Sequence, residues 1–100
     1  MKYSFIGWCR DEETNSDKVW GIIKLTGDMR RGSYVSFWGR RGKKLQTKIH
    51  KDEVDWHMED LADKKQNKGY QKIDEDKLNM VYPEFEKDLQ KTAVWSILKI

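Results

Sequence analysis

The chain has little of what locks or anchors a small protein. Cys9 is its single cysteine, so no intrachain disulfide can form, and a reducing compartment is the expected setting. His50 and His57 are the only histidines. Neither stands at a ligand-like spacing from Cys9, which argues against a structural metal site. No apolar run reaches the length of a signal segment or a bilayer span, so export and membrane insertion are not expected and the predicted location is cytoplasmic. A Gly-rich phosphate loop, a Ser–His or Cys–His arrangement and a ligand cluster are all missing, so we expect neither an enzyme nor a cofactor. The carboxylates Glu53, Asp55, Glu59, Asp60 and Asp63 around His57 have spacings that could bind a divalent metal. An amphipathic surface helix carries such spacings routinely. Hydrophobic residues make up only 37% of the chain, but 12% aromatics with five Trp exclude disorder, because disordered chains are poor in aromatics.

One hundred residues make one domain with a modest, aromatic-rich core, and no repeat or low-complexity tract divides it. The net charge of +3 is unevenly placed: Asp17 to His50 holds nine Lys or Arg against two Asp, and the remainder eleven against fifteen acidic residues. A basic middle within a mildly acidic chain points one face at a polyanion. Lysines scattered for solubility do not account for the pairs Arg30-Arg31 and Arg40-Arg41.

Taken in order, Tyr3 to Arg10 alternates as a strand, a polar loop covers 11–17, and Val19 to Leu25 returns as the second arm of a hairpin. Glycines bracket the bend 27–32. The third strand, 33–40, turns at 41–44 into a fourth at 45–50. Asp52 is the expected N-cap of a helix whose stripe is Val54, Met58, Leu61 and Ala62. Asn67 and Gly69 end it, and Tyr70 to Ile73 forms a short fifth strand. Pro83 opens a second helix reaching about residue 91. A meander of this kind needs a cover on its apolar face. We therefore expect Ile23, Leu25, Val35, Phe37, Leu45, Ile49, Met58 and Leu61 to form one core between sheet and helix. The segment 76–100 is expected to be a cover dispensable to that core, lying near Trp56.

The third strand centres on Trp38-Gly39-Arg40. Side chains alternate with period two along a strand, so Val35 and Phe37 face the core while Tyr34, Ser36, Trp38 and Arg40 face away. A flat ring two residues from a guanidinium can stack on a base and hold a phosphate.

These residues resemble the WGR domain, named for its Trp-Gly-Arg signature and found in DNA-damage-responsive poly(ADP-ribose) polymerases and in small bacterial proteins. The likeness covers Asp17-Lys18-Val19-Trp20, the strand Tyr34 to Gly42, Gln46-Thr47-Lys48, and the Lys65-x-x-Lys68-Gly69-Tyr70 end of the helix. Leu45 stands where the family has a Gly, and 76–100 match nothing in it. The resemblance implies an α+β domain over 1–75, a twisted antiparallel sheet of four to five strands covered by one helix; the residues of 76–100, read on their own, add a helical extension packed on the same domain. It also implies binding at DNA strand breaks, with the signature Trp and nearby basic residues at the terminal nucleotide, and contacts to partner proteins.

The expected function is therefore sequence-independent binding of nucleic acid, duplex DNA with ends or nicks ahead of RNA. Trp38 would stack, Arg40 and Arg41 would contact phosphate, and Lys18, Arg30, Arg31, Lys43, Lys44 and Lys48 would supply the surrounding field. The alternative is a protein-interaction or inhibitor module that uses Trp38 and Arg40 as anchor, with Tyr82, Phe85 and Trp95 of the C-terminal segment.

Overall fold

Alternation and turn chemistry build the sheet, and two helical layers then close it from opposite sides. The computed structural model describes residues 3–98, with side chains described through Ser96. The elements are β1 (Phe5–Asp11), β2 (Ser16–Gly27), β3 (Arg31–Arg40), β4 (Gln46–Val54), α1 (Asp55–Asn67), β5 (Gln71–Lys72), α2 (Glu75–Val81), α3 (Phe85–Gln90) and α4 (Trp95–Leu98). The strands form one antiparallel sheet in the order β4-β3-β2-β1-β5. Short polar side chains make the turns. The Asp28 carboxylate accepts from the amides of Arg30 and Arg31 at 2.9 and 3.1 Å, and Asp11 accepts from the Glu13 amide at 3.0 Å.

Both faces of the sheet are apolar in the middle, and each has its own cover. On the back face, Ile6, Val19, Ile23, Phe37 and Leu45 pack against Leu78 of α2, Phe85 and Leu89 of α3, and Tyr82 between those helices. On the front face, Phe5, Trp20, Ile22 and Tyr34 pack against Met58 and Ala62 of α1 and against Tyr70. The single core expected from the sequence is therefore two. Phe37, Ile23 and Leu45 lie behind the sheet, Met58 and Leu61 lie in front of it, and Ile49 is exposed. The helix sits on the Trp38 face rather than on the Phe37 face. The C-terminal segment is more than a cover, because Leu78, Tyr82, Phe85 and Leu89 are four of the nine buried residues of the back core, and Trp56 on α1 is left exposed. Gly21 allows a close approach behind the sheet: a Cβ there would meet the Phe37 ring at 2.3 Å.

Two element boundaries also differ from expectation. Asp52 is not the N-cap of α1, because β4 keeps pairing with β3 through Glu53 and Val54. Asp52 sits within that strand at φ 52. The helix begins at Asp55, whose carboxylate accepts from Tyr34 Oη at 2.6 Å and from Lys24 Nζ at 2.9 Å. The helical extension starts earlier than Pro83, with α2 at Glu75–Val81. Asp74 caps it by accepting from the Lys77 amide at 2.7 Å.

Candidate nucleic-acid interface

Register places the central motif in a cross-strand row on the front face. Trp38 lies between Trp20 on β2 and Gln46 on β4, and Arg40 lies directly opposite Lys18. Ser36 and Lys48 form the next pair toward the middle of the sheet. Directly opposed side chains in antiparallel strands approach within about 5 Å at Cβ, so one ring neighbours the other and one cation neighbours the other. Gly39 serves the motif by conformation and by leaving room, because a Cβ there would meet the Lys44 carbonyl oxygen at 3.2 Å and Leu45 Cδ2 at 3.4 Å. Its φ is 153, a value L side chains rarely adopt.

Helix α1 covers this face only in part and leaves a cleft of about 280 Å³ lined by Trp20, Ser36, Trp38, His50, Leu61, Lys65 and Tyr70. Trp38 is half-buried against the α1 cluster rather than standing free. The reason is the helix placement: α1 stands on the face that was expected to be open. Lys65 lies at the cleft wall with its Nζ 5.6 Å from the Trp20 ring centre and 5.9 Å from that of Tyr70. Lys18 Nζ approaches the same Tyr70 ring at 5.7 Å. Burial, then the charges of Lys68 and Lys18, pull the Lys65 amine below its usual range. An anion entering the cleft relieves that repulsion. His50 donates to or accepts from Ser36 Oγ at 2.9 Å. Burial, reinforced by the Lys48 charge, holds its pKa below the ordinary 6.5, so it is neutral at physiological pH.

The remaining basic residues fall into three places. Lys43 and Lys44 are exposed on the turn just past Arg40. Arg30 and Arg31 lie at the opposite end of β3, roughly 20 Å from Trp38 by strand rise. Arg31 is engaged there, donating to the Asp52 carbonyl at 2.7 Å with the Asp52 carboxylate at 3.5 Å. Arg41 is structural. Its Nε and one terminal nitrogen donate to Asp17 at 3.1 and 2.7 Å, the other donates to the Val81 carbonyl, and the guanidinium stacks on Trp8 at 5.5 Å. Asp17 also accepts from Trp8 Nε1 at 2.9 Å. Arg40 is exposed and is positioned by the β1–β2 turn, donating to the Asn15 carbonyl at 2.7 Å.

Trp38, Arg40, Lys18 and Lys48 are thus brought together, and Trp20, Lys65 and Tyr70 join them without having been chosen from the sequence. Their signals were present: Trp20 shares strand parity with Trp38, and Lys65 follows Met58 and Leu61 on the sheet-facing stripe of α1. The carboxylates near His57 do not converge. His57 pairs with Glu53 at 2.9 Å and Asp60 with Lys64 at 3.2 Å, and among the described residues no three His, Cys, Asp or Glu side chains are placed to hold a metal ion. Nor is any described helix long and apolar enough to cross a membrane. Comparison of the chain with protein-family models, with curated proteins and with solved structures gives no match.

Proposed function

We propose that this is a non-catalytic, WGR-like domain of the cytoplasm that binds duplex DNA at ends or nicks without reading its sequence. The observation that carries the reading is the half-open aromatic cleft of Trp20, Trp38 and Tyr70, bounded by Lys18, Arg40, Lys48 and Lys65. Ring faces accept a terminal base of any identity, and the surrounding cations hold the flanking phosphates. An intact duplex offers no exposed base face, which favours ends and nicks over continuous helix. Docking of a partner protein on the same Trp/Arg surface has less to work with than the sequence suggested, because Tyr82 and Phe85 are buried in the back core.

Fluorescence anisotropy of a labelled blunt-ended duplex in rising salt tests the reading. Binding should weaken steeply with salt, and Trp38→Ala should cost about 1–3 kcal/mol of affinity through loss of one stacked ring, with circular dichroism confirming the fold. Unchanged affinity in a folded Trp38→Ala variant would overturn the stacking role. Absence of any duplex binding by the parent would move the surface to a protein partner.

A further inference from the structure

A second basic cleft lies where the β3–β4 turn meets the end of α3. It holds about 270 Å³ and is lined by Gly42, Lys43, Lys44, Asp88, Lys91 and Thr92. Lys43 and Lys44 have no ion-pair partner among the described residues, and the Lys91 side chain is 78% exposed with the Asp88 carboxylate 3.7 Å away. Three lysines and one aspartate thus line the cleft, and the Asp88 carboxylate also accepts from the Tyr82 hydroxyl. Two carbonyls at the end of α3 are already hydrogen-bonded within the chain. Asp88 O accepts from the Lys91 amide at 3.2 Å, and Leu89 O accepts from the Thr92 amide at 3.1 Å and from Thr92 Oγ1 at 2.6 Å. Lys43, Lys44 and Lys91 are the cationic residues that line the cleft.

This cleft begins one turn beyond Arg40, and the turn is braced from within: the Lys43 amide donates to Arg40 O at 3.0 Å, and Arg41 ties the turn to α2 through the Val81 carbonyl. Resting on the DNA-binding reading above, we infer that Lys43, Lys44 and Lys91 form a second phosphate-backbone site, so that a duplex seated with its end at Trp38 continues across the Lys18/Arg40 edge of the sheet onto the C-terminal segment. The ligand there is a phosphodiester of the same nucleic acid. The residues that hold it come from the middle and the C-terminal end of the chain, which makes 76–100 part of the interface as well as of the core.

The test is the salt dependence of duplex binding by the full chain, with Lys91→Gln, Lys18→Gln and, as control, Lys87→Gln on the exposed side of α3. Each phosphate contact contributes a slope of about 0.9 in log affinity against log salt. Lys91→Gln should therefore lower the slope by about 0.9 while Lys87→Gln leaves it unchanged. If Lys18→Gln flattens the slope and Lys91→Gln does not, the second site is wrong and the Trp38 cleft stands. Equal flattening by Lys91→Gln and Lys87→Gln would reduce the site to general surface charge and also overturn it. A parent without salt-dependent duplex binding removes both readings together.

Discussion

The two faces of one sheet are built differently. Behind it, Val19, Val35, Phe37, Leu78, Tyr82 and Leu89 are almost wholly excluded from solvent, whereas in front of it, among the described residues, only Met58 and Ile22 are buried to that degree. The back is laced by aromatic contacts, Phe37 to Phe85 at 5.0 Å, Tyr82 to Phe85 at 5.5 Å and Tyr3 to Phe85 at 5.9 Å. The front instead holds a polar network of Lys24, Tyr34 and Asp55, a Ser36–His50 pair, and a lysine over two rings. Apolar burial is the main favourable term in folding, so the back face carries most of the stability. The front is then free to keep a charged, incompletely covered cleft, a division expected where binding needs groups that a dry core would not tolerate.

The largest effect should come from removing the back cover. A chain ending at Asp74 loses Leu78, Tyr82, Phe85 and Leu89 and uncovers Phe37, Val19 and Ile23; it should unfold outright, read as loss of the cooperative thermal transition. Within the full chain, Phe37→Ala should cost about 3–5 kcal/mol in urea unfolding, from lost transfer energy and the cavity left behind. The half-buried Leu61 in front should cost only ~1–2 kcal/mol on truncation to Ala, since a fully buried leucine costs 2–5. Equal losses for Phe37 and Leu61 would mean that the two faces share the stability and that the comparison fails.

Strand parity was legible in the sequence, and it sorted Val19, Ile23, Val35 and Phe37 from Trp20, Ile22, Trp38 and Arg40. The side on which a helix would lie was not legible, because both rows of β2 and β3 are apolar and periodicity gives no preference between two apolar faces. Leu78, Tyr82, Phe85 and Leu89 do recur at helical spacings of four, three and four. Pro83 interrupts that stripe and disguises it as a single late helix start. In the candidate site, parity alone would have separated Arg41 from Arg40, since neighbours on a strand point to opposite faces. Grouping them by adjacency put a core-bracing arginine among the phosphate ligands. Arg30 and Arg31 were misgrouped differently: they belong to the basic middle of the sequence, but the length of β3 carries them to the far end of the sheet.

The next effect sharpens the contrast at the seam between sheet and C-terminal helices. Arg41→Met removes the hydrogen bonds to Asp17 and Val81 and leaves the part-buried Asp17 carboxylate with Trp8 as its remaining side-chain donor. The cost should be about 2 kcal/mol, in the range for hydrogen bonds to a charged group, toward the lower end because the Arg41 side chain is 33% exposed. Burial would raise the Asp17 pKa, but hydrogen bonds from Trp8 and Arg41, with the charges of Arg41 and Arg10, hold it below its ordinary 3.8. A carboxyl with a depressed folded pKa stabilises the fold above its unfolded value, and that contribution is lost as pH falls through the folded one. The parent should therefore lose stability as pH falls below 3.8, and Arg41→Met should show a shallower acid loss. An Arg41→Met variant as stable as the parent would place the arginine back among groups free to bind a ligand.

The smallest effect belongs to the front cleft and has the opposite chemistry. His50 is held neutral, first by burial and then by Lys48, with Glu53 opposing and His57 reinforcing the shift. A histidine with a folded pKa below its unfolded 6.5 binds protons more tightly when unfolded. Its contribution is present above pH 6.5 and is lost as pH falls below it. Stability should thus fall gently in weak acid, by less than either loss above, and His50→Gln should abolish that slope while keeping a hydrogen bond to Ser36 within reach. Duplex DNA in the cleft should act against the same loss, because phosphate beside His50 favours the protonated ring and raises its pKa. Thermal melts across the histidine range, with and without a blunt-ended duplex, read both effects. A weak-acid slope that duplex reduces in the parent, and that is missing from His50→Gln, ties the titration to the Trp38 cleft. A slope unaffected by duplex would separate the nucleic acid from this face of the sheet.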